Sequence, residues 1–331
     1  MRISKLVLAV MAASLGSTAA YPADMAVKAP QAPPPSPWDV AITGAVMSDY
    51  NFRGITQSNH QPSVAVGFEP RYNFNKNLQG YVGVSGESID FPNRAAAEID
   101  FYAGVRPTFD KLVLDFGVWY YYYPNGQCFN AAVLCSSLGG DSSTALSLPN
   151  GNVVKADVSF LEFYGKATYT LNDNVAFGGQ IWGSPVFRDP GLAGVLDSGA
   201  YGIYYTGNLT LTAPTTWFPD GLGAYASADV GWWQLGTSDA FYGVAGFPGG
   251  IPYTSYLNWD VGFGFTWKIF TLDLRYYQSN LSKGDCNAFT SDQTASGMAT
   301  TPINPGLPGS NWCGAAFIAK LSMATTLGAF K

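Results

Sequence analysis

"SYLNWDVGFGFTWKI" (residues 255–269) alternates with a period of two. Leu257, Trp259, Val261, Phe263, Phe265, Trp267 and Ile269 fall on one face, with Asn258, Asp260, Gly262, Gly264, Thr266 and Lys268 on the other. Successive strand residues point to opposite faces, so this is a strand with one apolar and one polar side. "AEIDFYAGVRPTF" (97–109) does the same, setting Ile99, Phe101, Ala103, Val105 and Phe109 against Glu98, Asp100, Tyr102, Gly104, Arg106 and Thr108. A soluble sandwich also alternates. Three features favour a transmembrane antiparallel up-and-down β-barrel instead. The segments are long, about 10 to 15 residues. Aromatics sit near the ends of the apolar face, as an interfacial girdle would. The other face is Gly, Ser, Thr, Asn and sparse charge, which suits a wet lumen.

About twelve such segments run near 40–55, 62–74, 78–90, 97–109, 111–123, 154–171, 174–188, 198–212, 221–236, 255–269, 270–282 and 313–327. An even number keeps both termini on the periplasmic side. Connections alternate between short ("FNKN", "FDK", "LNDN") and mostly longer, notably 124–153, 237–254 and 283–312. That is the asymmetry of periplasmic turns and extracellular loops.

Composition agrees. Charged residues are 12% of the 331-residue chain and aromatics 15%, with 38 glycines and a mean hydropathy of only +0.05. After the N-terminus no run of ~18 apolar residues offers a membrane helix. Residues 1–20 read as a secretory signal: Arg2 and Lys5, then "LVLAVMAASLG", then small residues for cleavage. Residues 21–38, with "KAPQAPPPSP", read as a Pro-rich periplasmic leader, leaving 39–331 for the barrel. Without Arg2 and Lys5 the chain keeps 15 basic against 23 acidic residues, which argues against nucleic acid as a partner.

The four cysteines fall in or beside outward loops. Four cysteines allow three connectivities; topology favours Cys128–Cys135 and Cys286–Cys313. Their spacing is not that of a zinc site, and no histidine is near.

The first strand contains "SDYNFRGITQ" (48–57). A Pro-containing exported leader followed by "SDYNFRG" resembles the N-terminal signature of the TorF-type porins, a family of Gram-negative outer-membrane barrels. The resemblance implies an outer-membrane β-barrel, with outer-membrane lipid and the barrel-assembly machinery as partners. One departure is the C-terminus, where Phe330 is followed by Lys331 rather than closing the chain on an aromatic.

The register places Tyr50 and Phe52 on the lipid face. It assigns Asp49, Asn51, Arg53, Glu69, Arg71, Glu87, Glu98, Asp100, Arg106, Asp115, Glu162, Lys166, Asp229, Asp260, Lys268, Asp273, Arg275 and Lys320 to the lumen. A charge facing hydrocarbon costs about 2–4 kcal/mol at mid-depth, so these residues fix the register whatever they do. They either pair across the barrel and plug it, or line an aqueous path for small hydrophilic solutes or ions. Twelve strands permit a narrow pore without requiring one. The acidic majority implies a weak cation preference. The single histidine, His60, reads as a loop residue with no nucleophile or orienting acid beside it, so no enzyme chemistry, metal or cofactor is expected. "FPGGIPYTSY" and the 283–312 loop either fold inward over the mouth or stay exposed for adhesion.

Overall fold

Strands that are apolar on one face and short of charge on the other can satisfy their backbone in lipid only by closing into a barrel. The chain does this. The computed structural model describes residues 37–127, 129–130, 153–184 and 199–327. Twelve antiparallel strands form one closed barrel. They are β1 Trp38–Met47, β2 Ser63–Asn75, β3 Leu78–Glu87, β4 Glu98–Phe109, β5 Leu112–Tyr122, β6 Phe160–Asn172, β7 Val175–Gly183, β8 Gly202–Thr212, β9 Leu222–Leu235, β10 Tyr256–Trp267, β11 Phe270–Ser279 and β12 Ala316–Thr326. Each strand pairs with its sequence neighbours, and β12 closes on β1 in a regular register from Ala41↔Thr326 to Met47↔Lys320. The last strand is therefore ordered up to Thr326, while Phe330, Lys331, the signal and most of the leader lie outside the described residues.

The predicted faces hold. On β10, Val261, Phe263, Phe265 and Trp267 are 42–50% exposed, while Asn258, Gly262 and Gly264 between them are buried. Such an apolar exterior, continued by Val66, Val82, Phe101, Phe116, Ile181 and Leu209, matches hydrocarbon and not water. Aromatics ring both rims: Trp38, Phe74, Phe109, Trp217 and Phe270 at one, Tyr120, Tyr122, Tyr205, Trp232 and Trp259 at the other. Glycine inside the wall makes room for large lumen side chains. A Cβ at Gly264 would lie 2.3 Å from the Tyr225 ring, whose hydroxyl donates to Asp273 at 2.6 Å.

At one rim the turns are short: residues 76–77, 110–111, 173–174, 213–221 and 268–269. Lys268 belongs to this rim and is exposed. Its positive φ of 54° turns the chain, so its side chain is not in the lumen as the alternation suggested. The other rim carries the long connections. That of residues 280–315 is folded rather than loose. It contains helix α1, Lys283–Thr290, capped by Ser282, and the Cys286–Cys313 disulfide tethers it to the start of β12. Phe289 and Trp312 are buried, and so is Tyr253 of "FPGGIPYTSY", so both loops turn inward over the mouth. The Cys128–Cys135 pair lies outside the described residues.

The first strand is shorter than its sequence suggests. It ends at Met47; residues 49–58 leave the wall and enter the barrel, and residues 60–62 are exposed before β2 begins.

Candidate functional site

A strand that continued through residues 48–57 would have put Tyr50 and Phe52 in lipid. Instead the backbone bends at Ser48, which stays tied to the last strand (Ser48 N–H to Ala319 O, 2.9 Å). Asn51–Phe52 then pairs with Ile55–Thr56 as a two-residue hairpin. Its central residues, Arg53 and Gly54, both have positive φ, +52° and +82°. That is the requirement of the I′ turn, whose twist suits paired strands. The Asn51 side chain accepts the Gly54 N–H at 3.0 Å. Gly54 is demanded twice over, because a Cβ there would lie 2.8 Å from the Asn258 Cβ. Arg53 tolerates the left-handed conformation at a cost of about 1–3 kcal/mol, a strain that surrounding contacts must hold.

Those contacts are specific. The Arg53 guanidinium is bidentate to Glu162 on β6, at 3.0 and 2.7 Å, with both side chains at most 5% exposed. Ring faces surround it: Phe52 at 4.5 Å, Tyr204 at 4.6 Å, Trp233 at 4.7 Å and Trp182 at 5.7 Å. Tyr256 donates to the Arg53 carbonyl at 2.8 Å. Phe52 meets Tyr121 and Trp233 edge-on at 5.9 and 6.2 Å. Tyr50 donates to Glu98 at 2.6 Å. Tyr50 and Phe52 are 3% and 7% exposed, which corrects their assignment to the lipid face. The sheet wall had no room for them, but the aromatic lumen did.

Asp49 secures the base of the hairpin. It accepts from Thr56 Oγ1 at 2.5 Å and Ser58 Oγ at 3.0 Å, and contacts His60 Nδ1 at 2.8 Å. His60 therefore does have an acid beside it, contrary to the sequence reading, because the hairpin folds residue 49 back onto residue 60. Its Nε2 faces the Asn311 carbonyl at 3.2 Å. With an acceptor at each ring nitrogen, only the doubly protonated imidazolium donates to both. The Asp49 hydrogen bond accordingly raises the His60 pKa, against the opposing effect of burial. The folded value lies above the free one, so this anchor is complete below about pH 6.5 and is lost as the pH rises through the folded value. Hydrogen exchange at the amides of residues 50–58 should accelerate, beyond the intrinsic rate, as the pH rises above the free imidazole value of about 6.5. His60→Ala should remove that excess; an unchanged pH profile in the variant would show the contact to be idle.

Below the hairpin the lumen is charged. Arg106 is bidentate to Glu69 at 2.8 and 3.0 Å and reaches Asp115 at 3.0 Å, while Arg71 meets Glu69 at 2.6 Å. Tyr81 donates to Asp115 at 2.5 Å and contacts the Tyr164 hydroxyl. On the facing wall Arg275 binds Asp273 at 3.0 Å and Asp260 at 2.5 Å, with Asp229 at 4.0 Å. Lys166 lies 4.5 and 4.6 Å over the Tyr164 and Trp182 rings. Of the charges assigned to the lumen, only Lys268 is elsewhere, leaving ten acidic and six basic residues inside. Beside the hairpin is a cavity of about 70 Å³, lined by Asn51, Arg53, Gln180, Thr206, Asp229, Asn258, Asp260 and Tyr277 among others. In this conformation the hairpin and its aromatic surround occupy the outer part of the lumen.

Sequence reasoning placed Glu162 in the lumen but missed its partner and the ring box. The signal was present. "VWYYYY" (118–123) puts aromatics on both faces of β5, and Trp119 and Tyr121 are on the inner one.

The fold is thus a closed twelve-stranded antiparallel barrel, apolar outside and polar within, carrying an inserted hairpin. Residues 31–140, about a third of the chain and including the hairpin, match a family described as a bacterial protein of unknown function (Gcw_chp). No curated protein matches in sequence. Among solved structures, the chain is similar to the NanC porin (8% identity, 86% of this chain and 98% of that one, TM-score 0.38). It is also similar to LpxR from Salmonella typhimurium (8%, 86% and 99%, 0.40) and to an outer membrane channel from Pseudomonas putida F1 (11%, 89% and 97%, 0.39).

Proposed function

We propose that the chain is a Gram-negative outer-membrane channel for passive diffusion of small hydrophilic solutes or ions, closed in this conformation by the hairpin of residues 48–58. The observation that carries this reading is the contrast between plug and wall. A hairpin joined to the wall at both ends occupies a lumen whose own surface is polar and charge-bearing, so that displacing the hairpin would leave an aqueous path. Ten acidic against six basic lumen residues support a weak cation preference. The reading agrees with the resemblance to the TorF-type porins, and it makes outer-membrane lipid and the barrel-assembly machinery the partners. It assigns no chemistry to the chain. The Ser58 hydroxyl lies between Asp49 and the Gln61 carbonyl rather than against the His60 ring, which supports that reading.

A second reading is favoured by one observation, the near-complete burial of the Arg53–Glu162 pair. A plug held this firmly suits a structural or adhesive barrel that offers its outer loops to a partner.

Purified protein in a planar bilayer under a KCl gradient separates the two. The channel reading expects rare discrete openings whose zero-current potential lies on the cation side. A bilayer that stays silent with correctly folded protein, including protein whose plug has been released by mutation, favours the second reading.

A further inference from the structure

At the outer ends of β3 and β4 the register pairs Glu87 directly with Glu98, and Asp100 points inward two residues further on. One oxygen from each of these three carboxylates lies within 4.8 Å of the others. The residues are 7%, 2% and 0% exposed. No ion pair among the described residues involves them. Carboxylates this close in a buried site repel unless something neutralises them.

Two features make this more than an acidic cluster. Glu87 Oε2 and Asp100 Oδ1 are buried and accept no hydrogen bond. Three of the remaining oxygens are oriented by hydroxyls. Tyr50 and Tyr123 donate to the two oxygens of Glu98 at 2.6 and 2.7 Å, and Ser85 donates to Asp100 Oδ2 at 3.1 Å. The site therefore has a positioned ligand, two buried oxygens without hydrogen-bond partners and no cationic side chain paired with it among the described residues.

We propose that Glu87, Glu98 and Asp100 form a binding site for a hard divalent cation of the calcium class. Calcium–oxygen distances of about 2.3–2.6 Å let one ion reach three oxygens spread over this span. An all-oxygen, carboxylate-rich donor set suits calcium; zinc prefers nitrogen and sulfur, and no histidine or cysteine is part of the cluster. Magnesium demands tighter octahedral geometry and keeps more of its water, so it is the weaker ligand here. The site stands apart from any transport activity. It nevertheless touches the plug, because the Tyr50 hydroxyl hangs on its central carboxylate.

The test uses the full chain, refolded in detergent micelles and stripped with EDTA. Calorimetric titration with CaCl2 is expected to give one saturable site per chain, with MgCl2 weaker. Terbium should bind and luminesce on excitation of Trp119, which lies beside Asp100, and calcium should quench the signal by displacement. Glu87→Gln, which disturbs no hydrogen bond of Oε2, and the double variant Glu87→Gln with Asp100→Asn should weaken binding at least about tenfold, since ligand charge sets affinity. Asp220→Asn, in an exposed turn, should leave it unchanged. Absence of saturable binding by the wild type overturns the proposal and assigns shared protons to the cluster. Wild-type affinity in folded Glu87→Gln overturns it equally.

Discussion

Replacing Arg53 with alanine is expected to release the hairpin and open the barrel. The substitution strands the Glu162 carboxylate, 1% exposed, without a counter-charge. Breaking a buried pair from one side costs about 3–5 kcal/mol. Contacts with four aromatic rings go with it. The barrel wall takes no part in these interactions beyond presenting Glu162 and the rings of Trp182, Tyr204 and Trp233, so the loss falls on the hairpin. Amides of residues 51–57 should exchange faster by about two to four decades, in proportion to that energy. Far-ultraviolet dichroism of the sheet should be unchanged. Arg53→Lys keeps the charge but not the two-pronged geometry and should fall between. In the double variant Arg53→Met with Glu162→Met the loss should be far smaller than the sum of the singles, because removing both charges leaves none buried. Additive losses would show that the pair is not what holds the plug.

Loss of the Cys286–Cys313 disulfide should have the second largest effect. The bridge closes 27 residues of sequence, which corresponds to about 3.5 kcal/mol of unfolded-state entropy. The loop it closes supports the hairpin from outside. The Trp312 carbonyl accepts the Thr56 N–H at 3.0 Å, the Trp312 indole donates to Asn59 at 3.0 Å, and Asn311 faces His60. Cys286→Ser with Cys313→Ser should let the helix unfold locally, so that trypsin at low concentration cleaves after the exposed Lys283 while the barrel stays intact. The hairpin amides should loosen less than in Arg53→Ala, since Glu162 keeps its partner. A loop equally resistant in both forms would mean that packing of Phe289 and Trp312 alone holds it.

The barrel was legible because lipid imposes a period-two code along every strand. Residues 255–269 carry it with no exception until the turn at Lys268, and the inward charges follow from the cost of placing them in hydrocarbon. The plug was not legible for the same reason. "SDYNFRGITQ" alternates as well as a wall strand does, so Tyr50 and Phe52 read as lipid-facing. What removes them from the wall is non-local: Glu162 lies 109 residues away from Arg53, and Tyr256 lies 203 away. "RG" at 53–54 is a turn signal that periodicity overrode. His60 and Asp49 came together by the same folding-back. The carboxylate cluster was visible only as three lumen residues. That they share one point depends on the β3–β4 register, which alternation alone does not set.

The central claim is that residues 48–58 are a plug in a lumen built to conduct. Single-channel recording of a variant in which residues 50–57 are replaced by a short Gly/Ser link tests it most directly. The account predicts a persistent open conductance, absent or rare in the wild type, with the zero-current potential on the cation side. A correctly folded variant barrel as silent as the wild type would contradict it.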